Sequence, residues 1–220
     1  MVSLLGDACG SIALAWWILD KTGSAAEMSS VLAPAMVVKI FLLPVCGPLA
    51  DRYSRKLLIQ IANLWRFLAS GAITAMVWWD FYYLPALLVA YAALSAGSAL
   101  FAACSGGIVA KLVKKEQLQL ASQQSEAIDA FGGVAGGILG GVMVSATGVF
   151  GAFLVDTLSF LLATGFVAGI RADTRPSKNT TVDSGFRRWR RDFSDGFGIL
   201  FRIPVLFWLC MVAMFLNLAL

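Results

Sequence analysis

Residues 47–56 read GPLADRYSRK, a polar knot of one acid and three bases set between two long apolar runs. What surrounds the knot decides how it is read. The 220-residue chain is 59% hydrophobic and only 14% charged, with a mean hydropathy of +0.80, whereas a soluble domain carries roughly a quarter charged residues. Its apolar sequence falls in blocks of about 20 residues, the length that crosses a bilayer as a helix. Most of the chain therefore has lipid as its solvent, and the fold class is all-α, a polytopic membrane helix bundle.

Hydropathy places spans near Val2 to Leu19, Ser29 to Ala50, Leu57 to Trp79, Tyr82 to Val109, Leu118 to Ala146 and Val149 to Ile170, with a seventh beginning near Pro204 and cut off at Leu220. This divides the chain into a six-span bundle over residues 1–170, a linker over 171–203 and a truncated seventh span over 204–220. Basic and nearly neutral connections alternate. Arg52, Arg55, Lys56, Lys111, Lys114, Lys115, Arg171, Arg175, Lys178, Arg187, Arg188, Arg190, Arg191 and Arg202 fall on one side, and Lys21 alone on the other. The positive-inside bias makes the first side cytoplasmic, so the expected location is a bacterial-type inner membrane, with the amino terminus inside. Trp16, Trp17, Trp78, Trp79, Tyr82 and Tyr83 gather at the opposite ends, as an outer aromatic belt would. The first run lacks a basic leader and contains Asp7, so it reads as a retained helix rather than a cleaved signal.

Several function classes are excluded. The net charge of +4 resides in short loops beside apolar spans, where it sets topology, and no independent basic domain exists for nucleic acid. The chain has no His, and Cys9, Cys46, Cys104 and Cys210 show no CxxC spacing, so neither a zinc site nor a disulfide framework is indicated, and no metal or cofactor is expected. No nucleophile stands beside a base and no acids pair at one depth, which argues against an enzyme. Residues 171–184 are rich in Thr, Ser, Asp and Pro and read as a flexible cytoplasmic linker. Beyond them Phe186, Trp189, Phe193, Phe197 and Leu200 recur at helical spacing opposite arginines. Two readings of that segment stay open: a helix lying in the inner interface, and a basic stop before the next span.

GPLADRYSRK, at the inner junction of spans 2 and 3, resembles the signature loop of the major facilitator superfamily, with Gly47, Leu49, Asp51, Arg52, Arg55 and Lys56 matching and Ser54 replacing the usual glycine. The LGD of span 1, the arginine within span 3, LASQQSEA opening span 5 and FLVDTLSFLLA in span 6 are similar to its efflux branch, which includes enterobactin and macrolide exporters. The resemblance implies that the chain is the six-helix amino-terminal half of a twelve-span fold plus part of a seventh span. It also implies a proton-driven exporter of an amphiphilic drug or siderophore, and a conformational latch at Asp51 and its neighbouring bases. A carboxy-terminal half, or a second copy, would then be needed to complete the path, with membrane lipid, substrate and protons as the remaining partners. Topology setting alone is the competing reading of Gly47, Asp51, Arg52, Arg55 and Lys56. A split or shortened relative acting as a membrane scaffold or regulator is the competing reading of the whole.

Charges at mid-depth cost about 2.5 to 3.5 kcal/mol each on insertion scales, so each needs a partner or a task. Asp7 and Lys39 fall at similar depth on consecutive helices, and a pair between them is either a proton-coupling site or a permanent brace. Arg66 and Asp156 sit near the middle of spans 3 and 6, which the resemblance makes supporting helices, and are expected to pair structurally, with Asn63, Ser70 or Ser159 nearby. Glu126 and Asp129 open span 5, Asp129 deeper and closer to the expected cavity. Trp16, Trp17, Phe101 and the Ser105 region are expected to contact substrate. In span 5 Gly132, Gly136 and Gly140 form one small-residue row and Gly133, Gly137 and Gly141 another. These rows suit close helix approach and partly match the glycine-rich fifth span of superfamily exporters.

Overall fold

In the computed structural model the described residues are 2–112, 117–169, 205, 207–209, 211 and 212; within them nothing is described for the side chains of Val2, Asp51, Arg52 or residues 107–112. The chain divides into two compact units, residues 1–176 and 177–220. The described residues of the second unit are all helical. The expected linker and interfacial helix lie outside the described residues.

Among the described residues five helices build the first unit: α1 (Val2–Thr22), α2 (Ala25–Arg52), α3 (Arg55–Trp78), α4 (Leu84–Leu112) and α5 (Leu118–Gly169). No strand occurs among the described residues. Four of them, α2 to α5, are long and apolar enough to cross a bilayer. The 52 residues of α5 would make a rod of about 78 Å at 1.5 Å per residue, far more than the roughly 30 Å hydrocarbon core needs. Gly148 resolves this. Its φ of 73° and ψ of 176° break the helix, a conformation open to glycine because it has no Cβ. The contacts prove a reversal there. Gly132, Gly136 and Gly140 meet Leu4, Ala8 and Cys9 in ascending order, whereas Gly6 and Gly10 meet Ser159 and Asp156 in descending order. The two limbs of α5 therefore run parallel and antiparallel to α1, and the expected spans 5 and 6 are both present within it.

Local chemistry fixes the ends. Ser24 caps α2, its hydroxyl accepting from the Glu27 backbone N–H at 3.3 Å, which satisfies one of the unpaired donors of a helix start. Pro34, Pro44 and Pro48 lie inside α2, as membrane helices tolerate where neighbours re-satisfy the freed carbonyls. After α3 the chain turns through Asp80 at φ 52°, a left-handed conformation that aspartate adopts more readily than most residues. Lys21 forms an ion pair with Asp80, and the Tyr82 hydroxyl donates to Glu27 Oε2 at 2.9 Å. These contacts tie the end of α1, the start of α2 and the α3–α4 turn together at one end of the bundle. Burial, then the hydrogen bond to Glu27 and its charge, push the Tyr82 hydroxyl up to about 12.

Helix α1 packs mainly on α5, α2 on α4, and α3 on both α4 and α5. Two apolar clusters result. One joins Leu14, Trp17, Ile18, Val31, Ile73, Leu87 and Phe153 toward the Tyr82 end, and the other joins Ala50, Leu58, Ile59 and Cys104 toward the opposite end. Cys9, Cys46 and Cys104 are buried packing residues. Phe41, Val89, Phe131 and Phe166 are among many large apolar side chains left exposed, the surface expected of a bundle bathed in lipid. Helix α3 is the most enclosed of the four crossing helices, because it turns a polar stripe inward.

Candidate functional site

That stripe is the candidate site. Along α3, Asn63, Arg66, Ser70 and Thr74 recur at helical spacing and all are buried, so they share one face. They lie between the two apolar clusters and face α1 and the second limb of α5. The Arg66 side chain, 1% exposed, forms an ion pair with Asp7 of α1, whose side chain is 36% exposed. It also donates from Nη1 to Ser3 Oγ at 3.2 Å. Ser3 and Asp7 stand one turn apart on α1, so the guanidinium grips that helix at two points. Its Cζ lies over the rings of Phe160, 4.2 Å from the centroid, and Phe101, 5.1 Å from the centroid. Cation–π contact of this kind compensates part of the lost hydration.

A second polar group adjoins the first. Ser70 donates to Asp156 Oδ2 at 2.8 Å, and the hydroxyls of Ser70 and Thr157, and of Thr74 and Thr157, lie 2.9 Å apart. The Ser159 hydroxyl turns back to the Asp156 carbonyl at 2.7 Å. Gly6 and Gly10 let α1 lie directly on the Asp156 carboxyl; a Cβ on Gly10 would stand 2.9 Å from its Cγ. Asn63 is buried, and neither atom of its side-chain amide has a hydrogen-bond partner among the described residues.

The expected pairs are redistributed. Asp7 is bound by Arg66 and not by Lys39, which is exposed on α2. Matching depth leaves Lys39 acting on Asp7 only as a weaker, longer-range charge, because α1 packs on α5 and has little contact with α2. Arg66 and Asp156 share one neighbourhood, but the ion-pair partner of Arg66 is Asp7 and the hydrogen-bond donor to Asp156 is Ser70. Glu126 and Asp129 are both exposed. Trp17 is a core residue stacked edge-on against Tyr82 at 5.6 Å, whereas Trp16 is exposed. Of the two glycine rows, Gly132, Gly136 and Gly140 are buried against α1, while Gly133 and Gly141 have open space beside them and Gly137 reaches only Ile12.

At the signature loop, Gly47 has open space around it, and the side chains of Asp51 and Arg52 lie outside the described residues. Arg55 is half-buried. Lys56 donates from Nζ to the Ala168 carbonyl at 2.9 Å, a cation on the last turn of α5 where the helix dipole favours positive charge. The α2–α3 junction and the end of α5 therefore occupy the same end of the bundle. Sequence reasoning missed Ser3, Thr74 and Thr157. It also missed the close contacts of Gly6 and Gly10, although their spacing of four residues around Asp7 was a usable signal.

The sequence profile of the Major Facilitator Superfamily matches residues 1–220. Macrolide efflux protein A of Streptococcus pyogenes is 22% identical over 211 residues, covering 96% of this chain and 51% of that protein. The MFS-type transporter YfiS of Bacillus subtilis is 26% identical over 164 residues, covering 74% of this chain and 38% of its own. For YkuC of the same organism the identity is 23% over 195 residues, with 87% and 43% covered. The chain spans about half the length of these curated relatives, 51% at most. With a whole-length profile match, a bundle of membrane-crossing helices and a charged stripe enclosed between them, the chain belongs to the Major Facilitator Superfamily.

Proposed function

We propose that this chain is the amino-terminal half of a proton-coupled exporter of amphiphilic small molecules, in which one helical half rocks against another. The observation that carries this reading is the Arg66–Asp7 ion pair inside an apolar bundle. A buried pair is weak support for stability, because desolvation offsets much of its attraction. Ionisable groups held within a membrane bundle are by default functional, and exchange of a proton on Asp7 supplies a coupling step. The likeness to a macrolide efflux protein supports an amphiphilic substrate.

In this reading the end carrying Arg55, Lys56 and Ala168 faces the cytoplasm of a bacterial cell, as the bias of basic residues favours. Asp51 acts there as a latch, its carboxylate holding a base or the positive amino end of a helix in the other half. The test is flux into proteoliposomes of the full-length protein under an imposed pH gradient, with a macrolide as first substrate. The native protein should accumulate drug only when the gradient is present. Asp7→Asn should abolish the dependence on the gradient, and Asp51→Asn should slow exchange without abolishing binding. Transport that ignores the gradient, or an Asp7→Asn variant that still follows it, would refute proton coupling through this site.

A further inference from the structure

The polar stripe holds a mismatch that the Arg66–Asp7 pair leaves unexplained. Two carboxyls, Asp7 and Asp156, flank a single buried guanidinium. Asp156 is 1% exposed, and its Oδ1 has no hydrogen-bond partner among the described residues. That oxygen lies 3.1 Å from where a Cβ on Gly6 would stand, and Gly6 is the chain neighbour of Asp7. Arg66 has a matching vacancy: its Nε donor is buried without a partner among the described residues. The guanidinium already rests on the Phe160 ring at 4.2 Å. Phe160 stands one helical turn from Asp156, roughly 5–6 Å between Cβ atoms on one face. Phe160 thus sets the guanidinium beside the turn that carries Asp156 while it is bound to Asp7, so a rotamer change of Arg66 is the movement that would pass it from one acid to the other.

Charge balance then decides where a proton sits. An ionised carboxylate that accepts one hydrogen bond and has no counter-ion is not sustained in such a place. Arg66 neutralises one acid at a time. The groups facing the pair are few: Asp7 and Cys9 on α1, Lys39 on α2, Tyr91 on α4 and Asp156 on α5. Lys39 is the second cation in reach of Asp7, and it is exposed on α2.

We infer that Arg66 is an exchangeable counter-ion for Asp7 and Asp156, and that the two carboxyls share one proton, which occupies whichever acid Arg66 does not hold. In the arrangement seen here the proton is on Asp156. When Asp7, the more exposed acid, takes up a proton, Arg66 crosses to Asp156, whose own proton leaves; the site gains one proton, loses one and keeps its net charge. The crossing also releases Ser3 and Asp7, so the grip of α3 on that part of α1 depends on which acid is protonated. This deepens the proton-coupled reading above and rests on it, naming Asp156 as the second proton carrier and Arg66 as a positioning residue.

The experiment is infrared difference spectroscopy of the full-length protein in lipid nanodiscs at neutral pH, reading the C=O stretch of protonated carboxyls. Relative to the native protein, Asp156→Asn should remove one such carboxyl. Asp7→Asn should remove the same one, because Arg66 then holds Asp156 and ionises it. Arg66→Gln should add one, both acids now being neutral. A purely structural, permanently neutral Asp156 predicts that Asp7→Asn leaves the band untouched, and that result overturns the proposal. Should Asp7→Asn fail to fold, Asp7→Ser carries the same reading; no loss in Asp156→Asn, or no gain in Arg66→Gln, also overturns the proposal. Flux that ignores the pH gradient while the bands behave as described refutes the export reading and leaves the exchange standing; gradient-driven flux with unmoved bands does the reverse.

Discussion

Replacing Gly136 with alanine tests the packing that puts the charged stripe together. A Cβ at this position would stand 2.5 Å from Ala8 Cβ, with Leu5 O 3.5 Å and Leu5 Cα 3.6 Å away. The optimal carbon separation is about 3.5–4.0 Å, so α1 must retreat by roughly 1 Å, and it has no flexible side chain at Ala8 to move instead. Overpacking of this kind costs about 1–3 kcal/mol. Gly133→Ala is the internal control, three residues away on the same helix with nothing within 4 Å of its Cβ. Both changes gain the same helix propensity, about 1 kcal/mol, so the difference between them isolates the contact with α1. At about 2–4 °C per kcal/mol for a chain of this size, Gly136→Ala should melt roughly 2–12 °C below Gly133→Ala. Thermal unfolding in detergent, followed by circular dichroism, gives the comparison. Equal melting temperatures, or a Gly136→Ala protein more stable than its control, would refute the close seating of α1 on the first limb of α5.

Three further outcomes follow from the hydrogen bonds. Ser70→Ala removes the donor to Asp156 Oδ2 and should destabilise the bundle by about 1–3 kcal/mol in denaturant titrations; combined with Thr157→Val the loss should fall short of the sum, because the two hydroxyls bond each other. Tyr82 is pushed up to about 12 from an ordinary 10, so the folded protein favours its neutral phenol; that contribution is whole below pH 10 and drains as the pH rises through 12. Melting curves should therefore show an alkaline decline that Tyr82→Phe lacks. Lys56→Met withdraws a cation from the carboxyl end of α5, a contact worth roughly 0.3–1 kcal/mol. Hydrogen exchange should quicken over residues 165–169 while the α1 amides near Asp7 stay protected.

Much of the architecture was legible in the sequence because lipid imposes its own ruler: apolar blocks of about 20 residues leave little choice but helices. The reversal at Gly148 was signalled by the residues ATG between two such blocks. What sequence could not supply was azimuth. Depth along a helix follows from counting residues, which is why Asp7 and Lys39 look like partners, but the direction each side chain faces depends on which helices touch. Because α1 lies along α5 and not α2, Asp7 meets Arg66 from α3 instead. The same limit applies to the glycines of α5, where two equivalent rows exist in the sequence and only packing shows that Gly132, Gly136 and Gly140 are the row in use.

The pattern of contacts also says which joints are rigid. In lipid no hydrophobic force drives helices together, so association rests on close packing and polar bonds. Helices α1 and α5 have the glycine contacts, α2 and α4 pack on each other, and the two pairs touch little except through α3. On α3, Trp65 donates to the Ala93 carbonyl of α4 at 2.8 Å, Ser70 and Thr74 bond the second limb of α5, and Arg66 reaches α1. The Trp65 and Thr74 bonds are neutral and indifferent to protons, whereas the Ser70 bond ends on the Asp156 carboxyl. The Arg66 attachment alone among these is an ion pair, and it connects α3 to the helix already fastened to α5 by packing. In the proposed cycle, protonating Asp7 loosens the Arg66 bond of α3 while leaving the pairs themselves intact, which is the condition for helices to shift as bodies rather than unravel.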